Sequence, residues 1–338
     1  MTPTVLLTGV GGFIGAHTLS HIMHNTTWNL VGLDSFRHKG KTDRITEMIE
    51  SHPEWRSRIR IITHDLVAPI STQLQDRIGQ VDYVINMASE SHVDRSITDP
   101  VPFIKNNVDV TLNMLEYARA VKPTHFVQIS TDEVYGPAVA GQYHAEWATI
   151  LPSNPYSASK AAQEAIAISY WRTYGVPVII TNTMNNIGEM QDPEKFVPML
   201  ISRISKNEPV IIHGRGPSDC GSRFYLHARN HGDALLFIIN QIASRPYIDG
   251  VYDRPAKYNV VGEVEMNNYD LAALIAEIIG KDLKYEFVDF HAARPGHDRR
   301  YALDGTLLAS LGWKPPVPFE DSLRKTVAWT LQRPEWLR

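Results

Sequence analysis

The sequence predicts an α/β protein built on a doubly wound parallel sheet. Short apolar runs rich in β-branched residues alternate with longer stretches of helical pattern through the first half of the chain. The runs lack polar alternation, which is typical of strands buried on both faces of a parallel sheet. Strand, helix and strand in this order, with right-handed crossovers, place helices on both sides of the sheet. The predicted strands are 4–8, 29–33, 59–64, 81–87, 125–130 and 176–181.

Beyond about residue 182 the regular alternation stops, and helices, short strands and proline-rich loops follow. We expect them to form a smaller α/β lobe over the carboxyl ends of the strands, where open sheets bind ligands. The predicted domains are therefore 1–182, the sheet domain, and 183–338, mainly a ligand-selecting lobe that is partly interleaved with the first. Trp313 and Trp329 are predicted to pack within the smaller lobe.

The composition narrows the possible partners. The 338 residues include 33 Lys and Arg against 37 Asp and Glu, a formal net charge of −4, with no strongly basic segment. This balance argues against nucleic acid or an anionic membrane as a partner, and no apolar run reaches the roughly 18 residues of a membrane span. The only cysteine, Cys220, excludes an internal disulfide and a thiolate zinc site, and it favours the reducing cytoplasm. The histidines have no zinc-site spacing, so no metal is expected.

A glycine-rich turn, GVGGFIG, lies between the first predicted strand and a helical pattern. Such glycines let a pyrophosphate approach backbone N–H groups at the positive end of a helix. Asp34 ends the second strand, where a carboxylate accepts hydrogen bonds from ribose hydroxyls and repels a 2′-phosphate. The pattern predicts a Rossmann domain that binds NAD. The cofactor residues predicted here are Gly9, Gly12, Phe13, Ile14, Gly15, Asp34, Ser35, Phe36, Arg37, Asp65 and Leu66.

Tyr156 and Lys160 are four residues apart at the start of a helical pattern. This spacing puts both side chains on one helix face, where the ammonium favours the phenolate and makes the tyrosine a general base. The sequence Thr131-Asp132-Glu133 follows the fifth predicted strand. We therefore expect these side chains at the same carboxyl edge of the sheet.

Together these motifs resemble the extended short-chain dehydrogenase/reductase family, and within it the nucleotide-sugar 4,6-dehydratases. The resemblance covers almost the whole chain. The most discriminating element is Thr131-Asp132-Glu133, because the related 4-epimerases carry small or hydroxylated residues where the two carboxylates stand. The other matching segments are SESHVDRS at 89–96, STDEVYG at 130–136, YSASK at 156–160, Asn185-Asn186, Pro193-Glu194-Lys195, RPGHD at 294–298 and LGWKP at 311–315.

The resemblance implies a hydro-lyase that uses NAD as a catalytic cofactor on a nucleoside-diphosphate glucose. The sugar is oxidised at C4, water is lost across C5 and C6, the hydride returns to C6, and a proton returns to C5. Tyr156 would remove the C4 hydroxyl proton with the support of Lys160, and Thr131 would polarise the C4 oxygen. Glu133 would remove the C5 proton, and Asp132 would protonate the departing C6 hydroxyl.

Further binding residues follow from the resemblance alone. On the cofactor side they are Met87, Ala88, Ser89, Asn106 and Asn186, together with Tyr156 and Lys160. On the substrate side they are Ser91, Asn185, Lys195, Phe196, Arg223, Asn259, Arg294 and His297, together with Thr131, Asp132 and Glu133. A homodimer is also implied, formed through the two long helices around 107–121 and 156–173.

Departures from the family pattern leave the nucleotide open. The loop 214–223 is longer than usual before Arg223, and His227 and Asn230 stand where the family commonly has Tyr and Asp. The leading substrate is dTDP-glucose, and UDP-glucose and UDP-N-acetylglucosamine remain alternatives. A nucleotide-sugar 4-epimerase and a non-catalytic NAD-binding sensor are the other two functions that the sequence allows.

Overall fold

A seven-stranded parallel sheet forms the centre of the protein, in agreement with the predicted fold class. The computed structural model describes residues 2–242, 254–289 and 298–338. The strands, in spatial order, are β11 (Ala256–Val260), β6 (Val178–Thr183), β5 (His125–Thr131), β4 (Tyr83–Asn86), β1 (Thr4–Thr8), β2 (Asn29–Asp34) and β3 (Ile59–Thr63). The strand order reverses between β1 and β4, which is the position where doubly wound sheets bind ligands.

Helices cover both faces of this sheet. Because side chains alternate along a strand, Val5 and Leu7 of β1 enter one buried cluster and Leu6 enters the other. The first cluster contains residues of α1 and α8, and the second contains residues of α5 and α6. The helices of the described residues are α1 (Phe13–Asn25), α2 (Thr42–Ser51), α3 (Thr72–Ile78), α4 (Val93–Thr98), α5 (Pro100–Val121), α6 (Pro155–Tyr174), α7 (Phe196–Ser205), α8 (Ala228–Ile242), α9 (Asn268–Ile279), α10 (Thr306–Ser310) and α11 (Phe319–Gln332).

The smaller lobe contains two three-stranded sheets. One has the order β12 (Glu265–Asn267), β10 (Ser222–His227) and β7 (Asn185–Ile187), and the other has the order β13 (Tyr285–Val288), β8 (Val210–Gly216) and β9 (Asp219–Cys220). The antiparallel pair β8 and β9 shows that the long loop before Arg223 is a short hairpin. Within the described residues, no helix is both long and apolar enough to cross a membrane.

The tryptophans near the C-terminus pack against the main sheet, so their predicted place in the smaller lobe was wrong. Trp313 is buried in the same cluster as Val5 and Leu7, and Trp329 packs against that cluster. The indole N–H of Trp313 donates to Asp233 of α8 at 2.8 Å. The physical reason is that α8 and β11 return to the main sheet, a long-range arrangement that a local pattern does not contain.

Arg44 of α2 is buried and is bound by three backbone carbonyls. Its guanidinium donates to the oxygens of Gly11 at 3.0 Å, Lys39 at 2.7 Å and Met190 at 3.1 Å. We expect Arg44→Met to lower the free energy of unfolding by about 3 kcal/mol, because the buried carbonyls lose a charged donor. Chemical denaturation measures this, with Arg203→Met as the control, since Arg203 makes one exposed bond to Pro209. Equal effects of the two substitutions would contradict the assignment.

Candidate active site

A cavity lies at the carboxyl ends of the central strands. It brings together most of the residues that the sequence predicts for the two ligands. The predicted residues that line it are Gly9, Gly12, Phe13, Ile14, Gly15, Asp34, Ser35, Arg37, Asp65, Leu66, Met87, Ala88, Ser89, Ser91, Asn106, Thr131, Asp132, Glu133, Tyr156, Lys160, Asn185, Asn186, Lys195 and Phe196.

Three predicted residues are not part of this lining. Phe36 packs its ring over Gly11. Arg223 donates to the carbonyls of Ser222, Asp298 and Arg299 and lies over the ring of Tyr301. Asn259 donates to the carbonyls of His144 and Asp304 at 2.9 and 3.0 Å. The side chains of Arg223 and Asn259 therefore donate to backbone carbonyls of connecting segments. Arg294 and His297 lie outside the described residues.

The glycine turn and α1 have the shape and polarity of an anion site. Gly9 has a φ of +70°, and a Cβ atom at Gly15 would lie 2.1 Å from the Gly9 carbonyl oxygen. No side chain caps the start of α1 at Gly12, which leaves the backbone N–H groups of the first turn for a ligand. The residues present therefore fit the pyrophosphate of a dinucleotide.

Asp34 lies where the ribose of a dinucleotide is expected. One carboxylate oxygen accepts the Gly11 N–H at 2.9 Å and the other accepts the Phe36 N–H at 2.8 Å. These bonds fix the carboxylate while each oxygen keeps a lone pair for a ribose hydroxyl. Arg37 forms an ion pair with Asp65, so these two residues, both predicted to bind the cofactor, are in contact.

Tyr156 and Lys160 are presented by the first turns of α6. Asn154 caps this helix through a capping box with Ser157, which sets where the helix begins. Both functional side chains are buried, and the Lys160 ammonium donates to the carbonyl of Ile129 in β5 at 2.7 Å.

Burial has the largest effect on the pKa values of Tyr156 and Lys160. It lowers the pKa of Lys160 to about 7, although the nearby charge of Glu164 acts in the opposite direction. Burial, followed by the charge of Glu133, raises the pKa of Tyr156, and a hydrogen bond with Thr131 reduces this rise. The direction for the phenol is opposite to the sequence expectation, because burying a phenolate is costly and the charges of Glu133 and Asp132 add to that cost.

Asp132 and Glu133 follow β5 in a short 3-10 turn, and their carboxyl groups have different surroundings. Asp132 Oδ1 accepts the Thr131 hydroxyl at 2.8 Å, whereas Oδ2 is buried without a partner among the described residues. Burial, together with the charge of Glu133, raises the pKa of Asp132 to about 7. A carboxyl group of this kind is partly protonated near neutral pH and is placed to donate its proton.

Glu133 is held by two donors that the sequence reasoning missed. Its Oε2 accepts the Asn154 amide at 3.2 Å and the Tyr301 hydroxyl at 3.4 Å. Burial raises the pKa of Glu133, and the hydrogen bond from Asn154 and the charge of Arg223 reduce this rise. Donors that face a carboxylate favour its ionised form, which is the form a base requires.

Glu164 lies one helical turn beyond Lys160 and contacts the end of β5 through Ser130. Its carboxylate accepts the hydroxyl of Ser130, the amide of Asn182 at 2.7 Å and the ammonium of Lys257 at 2.7 Å. Glu164 is fully buried and Lys257 is 2 % exposed. The spacing of four residues between Lys160 and Glu164 could have predicted that both lie on one face of α6. No local pattern in the sequence pointed to Lys257.

The buried ammonium of Lys160 predicts a pH-dependent stability. Its pKa falls from 10.5 in the unfolded chain to about 7 in the folded protein, so between these values the unfolded chain binds more protons. Folded wild type therefore gains stability as the pH rises through this window. Lys160→Met lacks this gain. From pH 7 to about pH 10, we expect wild type to gain at least about 1 kcal/mol relative to the variant.

Urea unfolding at the two pH values measures this difference. The control is Lys284→Met, at an exposed position, which should follow wild type at both values. If the stability difference between wild type and Lys160→Met is the same at both pH values, the ammonium is not buried as described.

The parallel sheet, the glycine turn and the Tyr156–Lys160 pair define the extended short-chain dehydrogenase/reductase class. The chain matches the family model described as GDP-mannose 4,6 dehydratase over residues 6–326. It is 35% identical to the dTDP-glucose 4,6-dehydratase of Salmonella typhimurium, and the match covers 98% of this chain and 94% of that protein. The chain therefore belongs to the nucleotide-sugar 4,6-dehydratases of the extended short-chain dehydrogenase/reductase family, and it is an enzyme of that type.

Solved structures show the same fold. The dTDP-glucose 4,6-dehydratase DesIV of Streptomyces venezuelae, with NAD bound, is 30% identical and superposes with a TM-score of 0.85 over 98% of both chains. The UDP-glucuronic acid 4-epimerase of Bacillus cereus, in complex with UDP-glucuronic acid and NAD, is 25% identical with a TM-score of 0.84, covering 98% of this chain and 99% of that chain. Dehydratases and epimerases thus share this architecture, and the residues of the site must distinguish them.

Proposed function

We propose that the protein dehydrates dTDP-glucose to its 4-keto-6-deoxy derivative, with NAD as a catalytic cofactor. The observation that carries this proposal is the presence of two carboxyl groups, Asp132 and Glu133, in the same cavity as Tyr156 and Lys160. A 4-epimerase has no use for a second acid and base, because it only removes and returns a hydride at C4. The choice of dTDP is supported by the named activity of the Salmonella and Streptomyces relatives.

The turn residues Gly9, Gly12 and Gly15 would hold the NAD pyrophosphate, and Asp34 would bind the adenosine ribose. Arg37 and Asp65 would border the adenine. When bound there, NAD would supply the hydride chemistry that the reaction needs at C4 and at C6 of the sugar. We further propose that 1–182 holds this cofactor and the catalytic groups, whereas 183–338 mainly selects the nucleotide sugar.

Proton transfer at C4 is assigned to Tyr156. The burial that raises the pKa of its phenol makes the phenolate, once formed, a stronger base for the sugar hydroxyl. Thr131, which shares a hydrogen bond with this phenol, would polarise the C4 oxygen. Lys160 is fixed on the Ile129 carbonyl, so its charge reaches the phenol through space.

Elimination is assigned to the two carboxyl groups. Glu133, oriented by Asn154 and Tyr301, would act in its ionised form and remove the C5 proton that the C4 ketone acidifies. Asp132 would donate a proton from Oδ2 to the departing C6 hydroxyl, so that this oxygen leaves as water. The neighbouring carboxyl groups can take opposite tasks because, among the described residues, Asp132 accepts from the side chain of Thr131 alone, whereas Glu133 faces two neutral donors.

Incubation with a panel of nucleotide sugars tests the proposal. We expect dTDP-glucose to lose one water and to give a 4-keto-6-deoxy product by mass spectrometry and NMR. Turnover of only UDP-glucose or UDP-N-acetylglucosamine would replace the substrate assignment. A product of unchanged mass that differs at C4 would establish a 4-epimerase, and inertness towards every sugar would favour an NAD-binding sensor.

We also propose a cytoplasmic homodimer. The face of α5 that carries Val101, Ile104 and Leu112 exposes apolar surface, with Val101 64% exposed. Such a face favours contact with a second copy of the chain. The reduced Cys220 is compatible with the cytoplasm. Sedimentation equilibrium at twice the chain mass would support the dimer, and a monomer would contradict it.

A further inference from the structure

Residues 188–194, here the linking segment, connect β7 to Lys195 at the start of α7. The linking segment borders the cavity, because Asp192 and Glu194 line it together with Lys195 on the predicted substrate side. Met190 has a positive φ of 62°, a strained conformation for a residue with a side chain. Such a conformation persists where the surroundings hold it firmly.

The first set of contacts to the linking segment fixes Glu189 in place. The side chains of His17, Glu189 and His227 have the types of metal ligands, with the nearest atoms within 4.8 Å of one another. Their hydrogen bonds argue against a metal. The Arg229 N–H donates to Nδ1 of His227, so the ring proton lies on Nε2, which donates to the Glu189 carboxylate at 3.0 Å.

His17 completes the same arrangement from α1. Its Nε2 lies 2.9 Å from the Glu189 carbonyl oxygen, a group that can only accept, so this nitrogen also carries its proton. Burial lowers the pKa of His17 to about 4, which keeps the ring neutral. Two neutral imidazoles, one from α1 and one from β10, therefore fasten Glu189.

The second contacts come from Arg44. The same guanidinium binds the carbonyls of Gly11 in the cofactor turn, Lys39 in the loop after β2, and Met190 in the linking segment. Its Nη2 lies 3.9 Å from the Asp192 carboxylate. The backbone of Lys39 is thus fixed to the linking segment through one buried group.

The third contact is the side chain of Lys39 itself. Its ammonium lies 3.2 Å from the carboxylates of both Asp192 and Glu194. Partial burial lowers the pKa of Lys39, but the hydrogen bonds and charges of Glu194 and Asp192 raise it by more, so the ammonium stays charged. Lys39 lies five residues after Asp34 and lines the cavity, as do both acids and Lys195.

We propose that Lys39 is a positioning residue that couples the cofactor site to the nucleotide-sugar site through Asp192 and Glu194. This inference rests on the proposed function of the cavity. A dinucleotide bound beside the loop 35–41 would shift Lys39, and the ion pairs of its ammonium would carry this shift to Glu194 and the adjacent Lys195, which line the predicted substrate side. Because coupling is reciprocal, each ligand must strengthen the binding of the other by the same factor.

The test is the affinity for dTDP of protein freed of NAD and of protein saturated with NAD, measured by calorimetry. In wild type we expect NAD to tighten dTDP binding at least about fivefold. Lys39→Met should reduce this ratio to near one, and Lys39→Arg, which keeps the charge, should restore it. Because the ratio is taken within each variant, a general loss of stability does not change it.

Lys41→Met is the matched control. Lys41 is in the same loop, but its ammonium lies over the ring of Trp336, 5.2 Å from the ring centroid. We expect this variant to keep the wild-type ratio. A ratio near one in wild type, or a wild-type ratio in Lys39→Met, would overturn the coupling while leaving the proposed function intact. If wild type binds neither NAD nor dTDP alone, the proposed function fails, and the coupling fails with it.

Discussion

Tyr156→Phe is expected to lower kcat by about 10³-fold, because it removes the group assigned to take the C4 hydroxyl proton. The ring itself should keep its place, since it packs edge-on against Phe103 with the centroids 6.2 Å apart. The first oxidation should therefore stop while nucleotide-sugar binding continues. Steady-state kinetics and the absorbance of reduced nicotinamide, which should not develop, measure both parts of this result.

Tyr170→Phe is the matched control on the same helix. Its hydroxyl bonds Glu116 of α5, and Tyr170 does not line the cavity. We expect a rate close to that of wild type. If Tyr156→Phe retains a rate within tenfold of this control, another group removes the C4 proton.

Glu133→Gln is expected to suppress exchange of the C5 proton with solvent by at least about 10²-fold, because an amide is not a base. The substitution is nearly isosteric, and the amide oxygen can still accept from Asn154 and Tyr301. Oxidation at C4 should continue slowly. Deuterium incorporation at C5 in heavy water, followed by mass spectrometry, measures the exchange.

Asp132→Asn distinguishes the role of Asp132 from that of Glu133. If Asp132 is the acid, this variant should still exchange the C5 proton but should lose water slowly, because the C6 hydroxyl departs without a proton. Rapid exchange in Glu133→Gln, or loss of exchange in Asp132→Asn alone, would reverse the assignment of base and acid.

The parts of the protein that depend on neighbouring residues were predictable from the sequence. The turn at Gly9 to Gly15 lies between a strand and a helix, and Asp34 ends the next strand, as the sequence indicates. The spacing of Tyr156 and Lys160 places them on adjacent turns of α6. These features follow from backbone sterics and helical periodicity, which act over a few residues.

Contacts between distant residues were not predictable in this way. Tyr301 reaches Glu133 across 168 positions of sequence, and β11 joins the main sheet from the second half of the chain. Arg223 and Asn259 resemble ligand-binding residues of the family, and the sequence did not indicate that they also donate to backbone carbonyls. Which acceptor a polar side chain meets depends on the packing of whole elements, and a single sequence gives no record of that.

The ion pair between Glu164 and Lys257 limits how such enzymes can be recombined. Glu164 belongs to the first half of the chain and Lys257 to β11, and their charged atoms lie 2.7 Å apart in the core. A chimera that takes the second half from a relative with a neutral residue at 257 would leave a buried carboxylate uncompensated, at a cost of about 3 to 5 kcal/mol. Exchange of substrate preference by lobe grafting must therefore transfer Lys257 with its partner, or replace both together by apolar residues.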